Sequence, residues 1–76
     1  MKIKNNFIAR LGPNNTVRIF EAATGRLMRE ILAQGNITTA PICEGSEVSV
    51  MEVSGSKTYK AVYNLPNGSE KSRELV

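Results

Sequence analysis

Cys43 is the one thiol of the chain, seven glutamates are its only carboxylate side chains, and neither histidine nor aspartate occurs among its 76 residues. Without histidine the chain lacks the side chain that most often serves as a general base near neutral pH and as a metal ligand. Cys43 stands beside Glu44, and a neighbouring carboxylate does nothing to lower a thiol pKa. The residue therefore reads as a small apolar group rather than a nucleophile. Glu44, Glu47 and Glu52 together with Cys43 show no helix or loop ligand spacing, so no metal or cofactor site is expected. Glu47 and Glu52 read as members of a solvated strand face rather than as an acid/base pair. Gly12, Gly25, Gly35, Gly45, Gly55 and Gly68 stand singly and build no phosphate-cradling loop. These absences point away from an enzyme.

Binding chemistry is better represented. The first 29 residues carry Lys2, Lys4, Arg10, Arg18, Arg26 and Arg29 against Glu21 alone, and residues 30–56 carry Glu30, Glu44, Glu47 and Glu52 with no base. If the blocks fold onto separate surfaces, the domain is electrically two-ended and suited to head-to-tail self-association or to an anionic partner. Lys2, Lys4, Arg10, Arg18 and Phe20 form a candidate nucleic-acid strip, a basic strand face with one stacking ring. Arg18, Phe20, Met28 and Leu32 form the competing candidate, a protein interaction surface combining a charge with apolar groups that a small sheet leaves uncovered.

Strands must position these residues. Phe7, Ala9 and Leu11 share one parity with Ile3, while Lys2, Lys4, Asn6 and Arg10 take the other, the alternation of a half-buried strand. Gly12-Pro13-Asn14-Asn15 predicts a turn, and Thr16–Glu21 alternates again, so the two runs predict a hairpin. Glu47–Ser54 is strongly β-forming, although Val48 and Val50 share one parity and Met51 and Val53 the other, which calls for a bulge near Val50 or burial of both faces. Ser54-Gly55-Ser56-Lys57 turns into Thr58–Leu65, with Tyr59, Ala61, Tyr63 and Leu65 on one stripe. Pro41 confines residues 36–43 to an edge or an irregular crossing. Residues 25–34 fit two descriptions. As a helix they set Leu27, Met28, Ile31 and Leu32 on one face between Thr24 and Gly35; as a strand they mix apolar and charged residues on both sides.

Thr16–Ile31 can be laid beside Thr58–Leu75 at a separation of about 42 residues, a spacing typical of propeller blades. Locally, Thr16–Ile31 resembles the closing strand and following Thr24-Gly25 turn of a tryptophan-aspartate repeat blade. The resemblance covers a third of the chain, without the family's defining dipeptide or its Gly-His signal. One and a half repeats cannot close a propeller, so such a blade would imply assembly from several chains. Two ordinary hairpins with similar turn chemistry account for the pattern more simply.

The fold expected is therefore mainly β: a small antiparallel barrel or twisted meander of four to six strands, with one short helix near residues 25–34 as the open alternative. One domain spans 1–76, its tail polar from about residue 69 and either disordered or a short edge strand. Four aromatic residues and 41% hydrophobic content make a thin, aliphatic core that a neighbour covering strand edges would help to stabilise. The N-terminus has no apolar run behind its charges, and no stretch approaches the roughly 20 apolar residues that span a bilayer. The expectation is a cytoplasmic, non-enzymatic interaction module, without cofactors, whose partner is itself or another protein; a small nucleic-acid-binding barrel is the alternative.

Overall fold

The structure, a computed structural model, describes residues 6–65 and 67–76. Eight strands run in order: β1 (Phe7–Gly12), β2 (Thr16–Glu21), β3 (Leu27–Leu32), β4 (Asn36–Ile37), β5 (Ile42–Glu44), β6 (Glu47–Ser54), β7 (Lys57–Asn64) and β8 (Glu70–Leu75). They form two antiparallel sheets, β1-β2-β3 and β4-β6-β7-β8 with β5 also paired to β6. The sheets do not close into a barrel, so the expected meander is realised and the barrel is not.

Alternation decides which face of each sheet is buried. Val17 and Ile19 of β2 and Ile31 of β3 face inward against Val48 and Val50 of β6 and Ala61 and Tyr63 of β7, with Leu65 completing the core and Phe7, Ala9, Ile37 and Cys43 packed at its margin. Each of the larger buried side chains contributes about 1.5–3 kcal/mol through removal from water.

Of the two descriptions open to residues 25–34 the strand is realised and the helix is not: residues 27–32 are β3, paired to β2 along its whole length. Its mixed apolar pattern has a local cause. Ile19 opposes Arg29 but Phe20 opposes Leu27, leaving Met28 as the extra residue of a bulge. An inserted residue breaks the two-residue alternation and imitates a helical face. Of the two alternatives for residues 47–54, a bulge near Val50 or burial of both faces, the bulge is absent. Register runs unbroken from Glu47↔Asn64 to Ser54↔Lys57, and the inward parity of Val48 and Val50 continues into Glu52, which is fully buried. The solvated position expected for Glu52 is thereby overturned. The tail beyond residue 69 is the edge strand β8, its second bulge lying opposite Val62/Tyr63.

The faint repeat has a structural origin. In the β2–β3 hairpin, Glu21 N–H donates to Arg26 O at 2.8 Å and Gly25 N–H to Glu21 O at 2.7 Å; in the β7–β8 hairpin, Asn64 N–H donates to Ser69 O at 2.7 Å and Gly68 N–H to Asn64 O at 2.7 Å. The Thr24 hydroxyl accepts from Arg26 N–H as the Asn67 carbonyl accepts from Ser69 N–H. Gly25 and Gly68 hold φ of 73° and 77°, a left-handed conformation that favours glycine. Thr24-Gly25-Arg26 and Asn67-Gly68-Ser69 thus close two hairpins in one way, and the likeness extends to a bulge at the same distance from each turn, Met28 in one and Lys71 in the other.

A crossover over residues 33–36 carries the chain from one sheet to the other, and Asn15 holds it. From the β1–β2 turn, its Nδ2 donates to Gly35 O at 2.6 Å, its Oδ1 accepts from Ile37 N–H at 2.9 Å, and its backbone carbonyl accepts from Ala33 N–H at 3.2 Å. A Cβ at Gly35 would stand 2.8 Å from the Val53 carbonyl oxygen, so the crossover lies against β6 with no room for a side chain.

Candidate functional site

Two groupings hold the polar and exposed apolar residues of interest. The first is buried. Glu52 has no exposed surface, and its carboxylate is fully engaged: Oε2 accepts from Tyr63 Oη at 2.6 Å, while Oε1 accepts from Gly35 N–H at 3.0 Å and Arg73 Nη2 at 2.8 Å. Burial pushes the Glu52 carboxyl upward, but the hydrogen bonds from Tyr63, Gly35 and Arg73, with the charge of Arg73, outweigh it and hold the group below its ordinary value. Burial and the hydrogen bond to Glu52 raise the Tyr63 hydroxyl well above the usual phenol range. Arg73 is raised as well, chiefly by its hydrogen bond to Glu52. Arg73 also bonds Glu70 at 2.8 Å and stands 5.6 Å from the Tyr59 ring centre, tying β8 to β7. Among the described residues no buried side-chain polar atom lacks a partner. A carboxylate saturated in this way locks two strands and the crossover together and presents nothing to a substrate. Cys43 is partly buried, and burial pushes its thiol up, away from the reactive thiolate.

The second grouping is the outward face of the first sheet. Because Val17, Ile19 and Ile31 point to the core, their neighbours in sequence point away, and directly opposed residues share a face. Three cross-strand rows result. Ile8, Phe20 and Leu27 form an apolar row, Arg10, Arg18 and Glu30 a charged row, and Gly12, Thr16 and Leu32 a third. Ile8 is 39%, Leu27 46%, Met28 43% and Leu32 71% exposed. Ile8, Leu27 and Met28 thus flank the half-buried Phe20, and Leu32 lies on the other side of the charged row. Arg18 Nε donates to Glu30 Oε2 at 2.7 Å, and its aliphatic stem lies where a side chain on Gly12 would stand.

The structure brings Arg18, Phe20 and Leu32 onto this one face and places Met28 at the bulge beside them. Of the nucleic-acid strip, Arg10, Arg18 and Phe20 share the same face, whereas Lys2 and Lys4 lie outside the described residues. Ile8, Leu27 and Glu30 belong to the face too, and sequence reading passed over them. Register across three strands was the missing signal, since Glu30 is 12 residues from Arg18. The charge blocks do not stay apart: Arg18–Glu30, Lys71–Glu47 and Arg73–Glu52 all join a basic block to the acidic middle. One of these pairs links the basic first block to the acidic middle and two link the C-terminal block to it.

The strand edges carry their own protection. β3 has the Met28 bulge and the inward-facing Arg29, β8 has a bulge and the inward-facing Arg73, and β4 and β5 are two and three residues long with Pro41 between them. Of the exposed large apolar residues, Ile8, Leu27, Met28 and Leu32 belong to the open side of the first sheet, while Leu11, Ile42, Leu75 and Val76 are exposed elsewhere, on or next to edge strands. A depression of about 120 Å³ on the second sheet is lined by Ile42, Glu44, Glu47, Ser49, Lys60 and Val62, and two larger ones, of about 330 and 390 Å³, are lined by Glu21, Arg26, Leu27 and Met28 and by Ala9, Arg10, Leu11, Ala40 and Pro41, the larger two at the lower end of the roughly 300–1,000 Å³ of small-molecule sites. Among the described residues no three His, Cys, Asp or Glu side chains gather as a metal-holding group, and no helix is long and apolar enough to cross a membrane. No family model matches the chain, and neither a curated protein nor a solved structure matches it.

Proposed function

We propose that the chain is a non-enzymatic protein–protein interaction module that docks through the outward face of β1-β2-β3. The observation that supports this reading is the grouping of the exposed Ile8, Leu27 and Met28 with Phe20, and of Leu32 beyond the charged row, on a sheet whose other face is core. Exposed apolar surface gathered on one face, ringed by charge, is characteristic of interaction surfaces. Arg18 and Glu30 hold each other flat across the strands and add polar contacts between the apolar rows. A photo-crosslinking amino acid at position 27, compared with one at position 49 on the outward face of the second sheet, tests the reading in the producing cell. Defined protein adducts are expected from position 27 only, and their absence there overturns it.

Binding of a single-stranded nucleic acid on the same face is the second reading. Arg10 directly opposite Arg18, with Phe20 beyond, supports it. Glu30 in the same row weighs against it, because it neutralises one of the two guanidiniums. An oligonucleotide complex whose affinity falls steeply with salt would favour this second reading over the first.

A further inference from the structure

The charged row runs from Arg10 on β1 through Arg18 on β2 to Glu30 on β3, positive at one side of the face and negative at the other. Arg18 is committed to Glu30, whereas Arg10 has no ion-pair partner among the described residues and faces a like charge on the neighbouring strand. Like charges directly opposed across a strand pair are unfavourable, and a carboxylate above Arg10 would relieve the pair.

We propose that this face binds a second copy of the chain, face to face, about a two-fold axis parallel to β2, so that Arg10 of each copy meets Glu30 of the other. The proposal rests on the interaction reading above and names its partner. The rows themselves select the axis. Rotation about an axis along β2 sets β1 over the other copy's β3. Arg10 then lies over Glu30 and Glu30 over Arg10, with Arg18 over Arg18 on the axis and each of these paired to its own Glu30, while the apolar row Ile8, Phe20, Leu27 lies over itself in reverse, with Phe20 against Phe20 at the centre. Each Glu30 then bridges its own Arg18 and the second copy's Arg10. The other two-fold in the plane of the face, across the strands, sets Arg10 over Arg10 and Glu30 over Glu30, like on like. Arg18 meets Arg18 under either axis, so the two symmetric Arg10–Glu30 contacts of the first, against none of the second, are what selects an isologous dimer about β2.

Area sets the strength. Three strands about 4.8 Å apart and six residues long at about 3.4 Å each give a face of roughly 14 by 20 Å. The buried area falls below the roughly 1,200 Å² of standard interfaces, so the dimer belongs to the weak, transient class and forms at micromolar concentrations or above.

Sedimentation of the full chain over about 1–500 µM, as wild type, Arg10→Glu, Glu30→Lys and an equimolar mixture of the two variants, tests the proposal. The wild type is expected to pass from 8.3 kDa toward twice that mass. Each variant alone should associate at least ~10-fold more weakly, because both symmetric contacts become repulsive. The mixture should regain dimer. In the mixed pair the carboxylate introduced at position 10 of one copy meets the ammonium introduced at position 30 of the other, and the unaltered Arg10 meets the unaltered Glu30. Melting curves of the variants establish that they are folded. Arg10→Glu breaks no ion pair within the chain, and its loss of dimer with an unchanged melt would by itself support the contact. Variants that dimerise like the wild type, or a folded mixture that stays monomeric, would overturn it. A wild type monomeric throughout would also overturn it, while crosslinks from position 27 to a different protein would leave the broader interaction reading standing.

Discussion

Replacing Tyr63 by phenylalanine removes one oxygen from the middle of the fold and changes little else, since the ring, 3% exposed, stays where it packs. Among the described residues the lost oxygen is the only hydrogen-bond donor to Glu52 Oε2, whereas Oε1 keeps Gly35 and Arg73. A hydrogen bond to a charged group contributes about 1.5–3 kcal/mol, and a buried acceptor left without a donor costs a similar amount. A loss of about 2 kcal/mol is expected at pH 7, against a total stability of roughly 4–11 kcal/mol for a domain of this length. At about 4–8 °C per kcal/mol, Tm falls by about 8–16 °C. The loss depends on pH with a definite sign. The folded Glu52 carboxyl is held below its ordinary value, so its stabilisation is fully present above the unfolded value, about 4.3, and disappears as pH falls through the lower folded value. The Tyr63 hydroxyl contributes most while Glu52 is ionised, so the gap between variant and wild type should be constant from pH 7 to roughly pH 5 and narrow below about pH 4. Urea unfolding followed by circular dichroism at a series of pH values measures it. A loss under about 0.5 kcal/mol, or one that does not change between neutral and acid pH, would refute the assignment of Glu52 as an ionised, buried anchor.

Further outcomes follow from other contacts. Gly68→Ala should cost more than Gly25→Ala. Both positions are left-handed, at about 1–2 kcal/mol for an added Cβ, but at Gly68 the Cβ also meets Arg29 Cδ at 2.8 Å and Ile31 Cγ1 at 3.2 Å, while nothing lies within 4 Å at Gly25; equal changes in Tm would contradict this. Asn15→Gly keeps the φ of 63° but loses the side-chain bonds to Gly35 and Ile37, so it should cost about 1–3 kcal/mol. Asn14→Gly, with a φ of 57°, should stay within about 0.5 kcal/mol of wild type, and denaturant midpoints compare the two. Cys43→Ser should cost about 1 kcal/mol through its packing against the core and leave association unchanged, which paired melting and sedimentation would check.

Short-range physics wrote much of this fold into the sequence. Alternation in residues 16–21 and 58–65, with turn residues at Pro13-Asn14-Asn15 and Gly55-Ser56, already determined two hairpins, because side-chain parity and turn backbone are local properties. The candidate residues Arg18 and Phe20 were legible as outward for the same reason, whereas Leu32 lay in the stretch that alternation left open. What lay beyond local reading were the features that need a partner strand to exist. Residues 27–32 carry an apolar spacing that suits a helix, and only the ladder to β2, with Met28 accommodated as a bulge, makes them a strand. Glu52 sits at a core parity with a surface chemistry. Its burial is tolerable because Tyr63, 11 residues away, Arg73, 21 residues away, and Gly35, 17 residues away, converge on its two oxygens. The charge row on the outward face likewise appears only once three strands are in register, since Arg10, Arg18 and Glu30 are neighbours in space and not in the chain. Desolvation and hydrogen bonding act through distance in space, so the sequence determined which residues alternate, and the tertiary structure decided which of them meet.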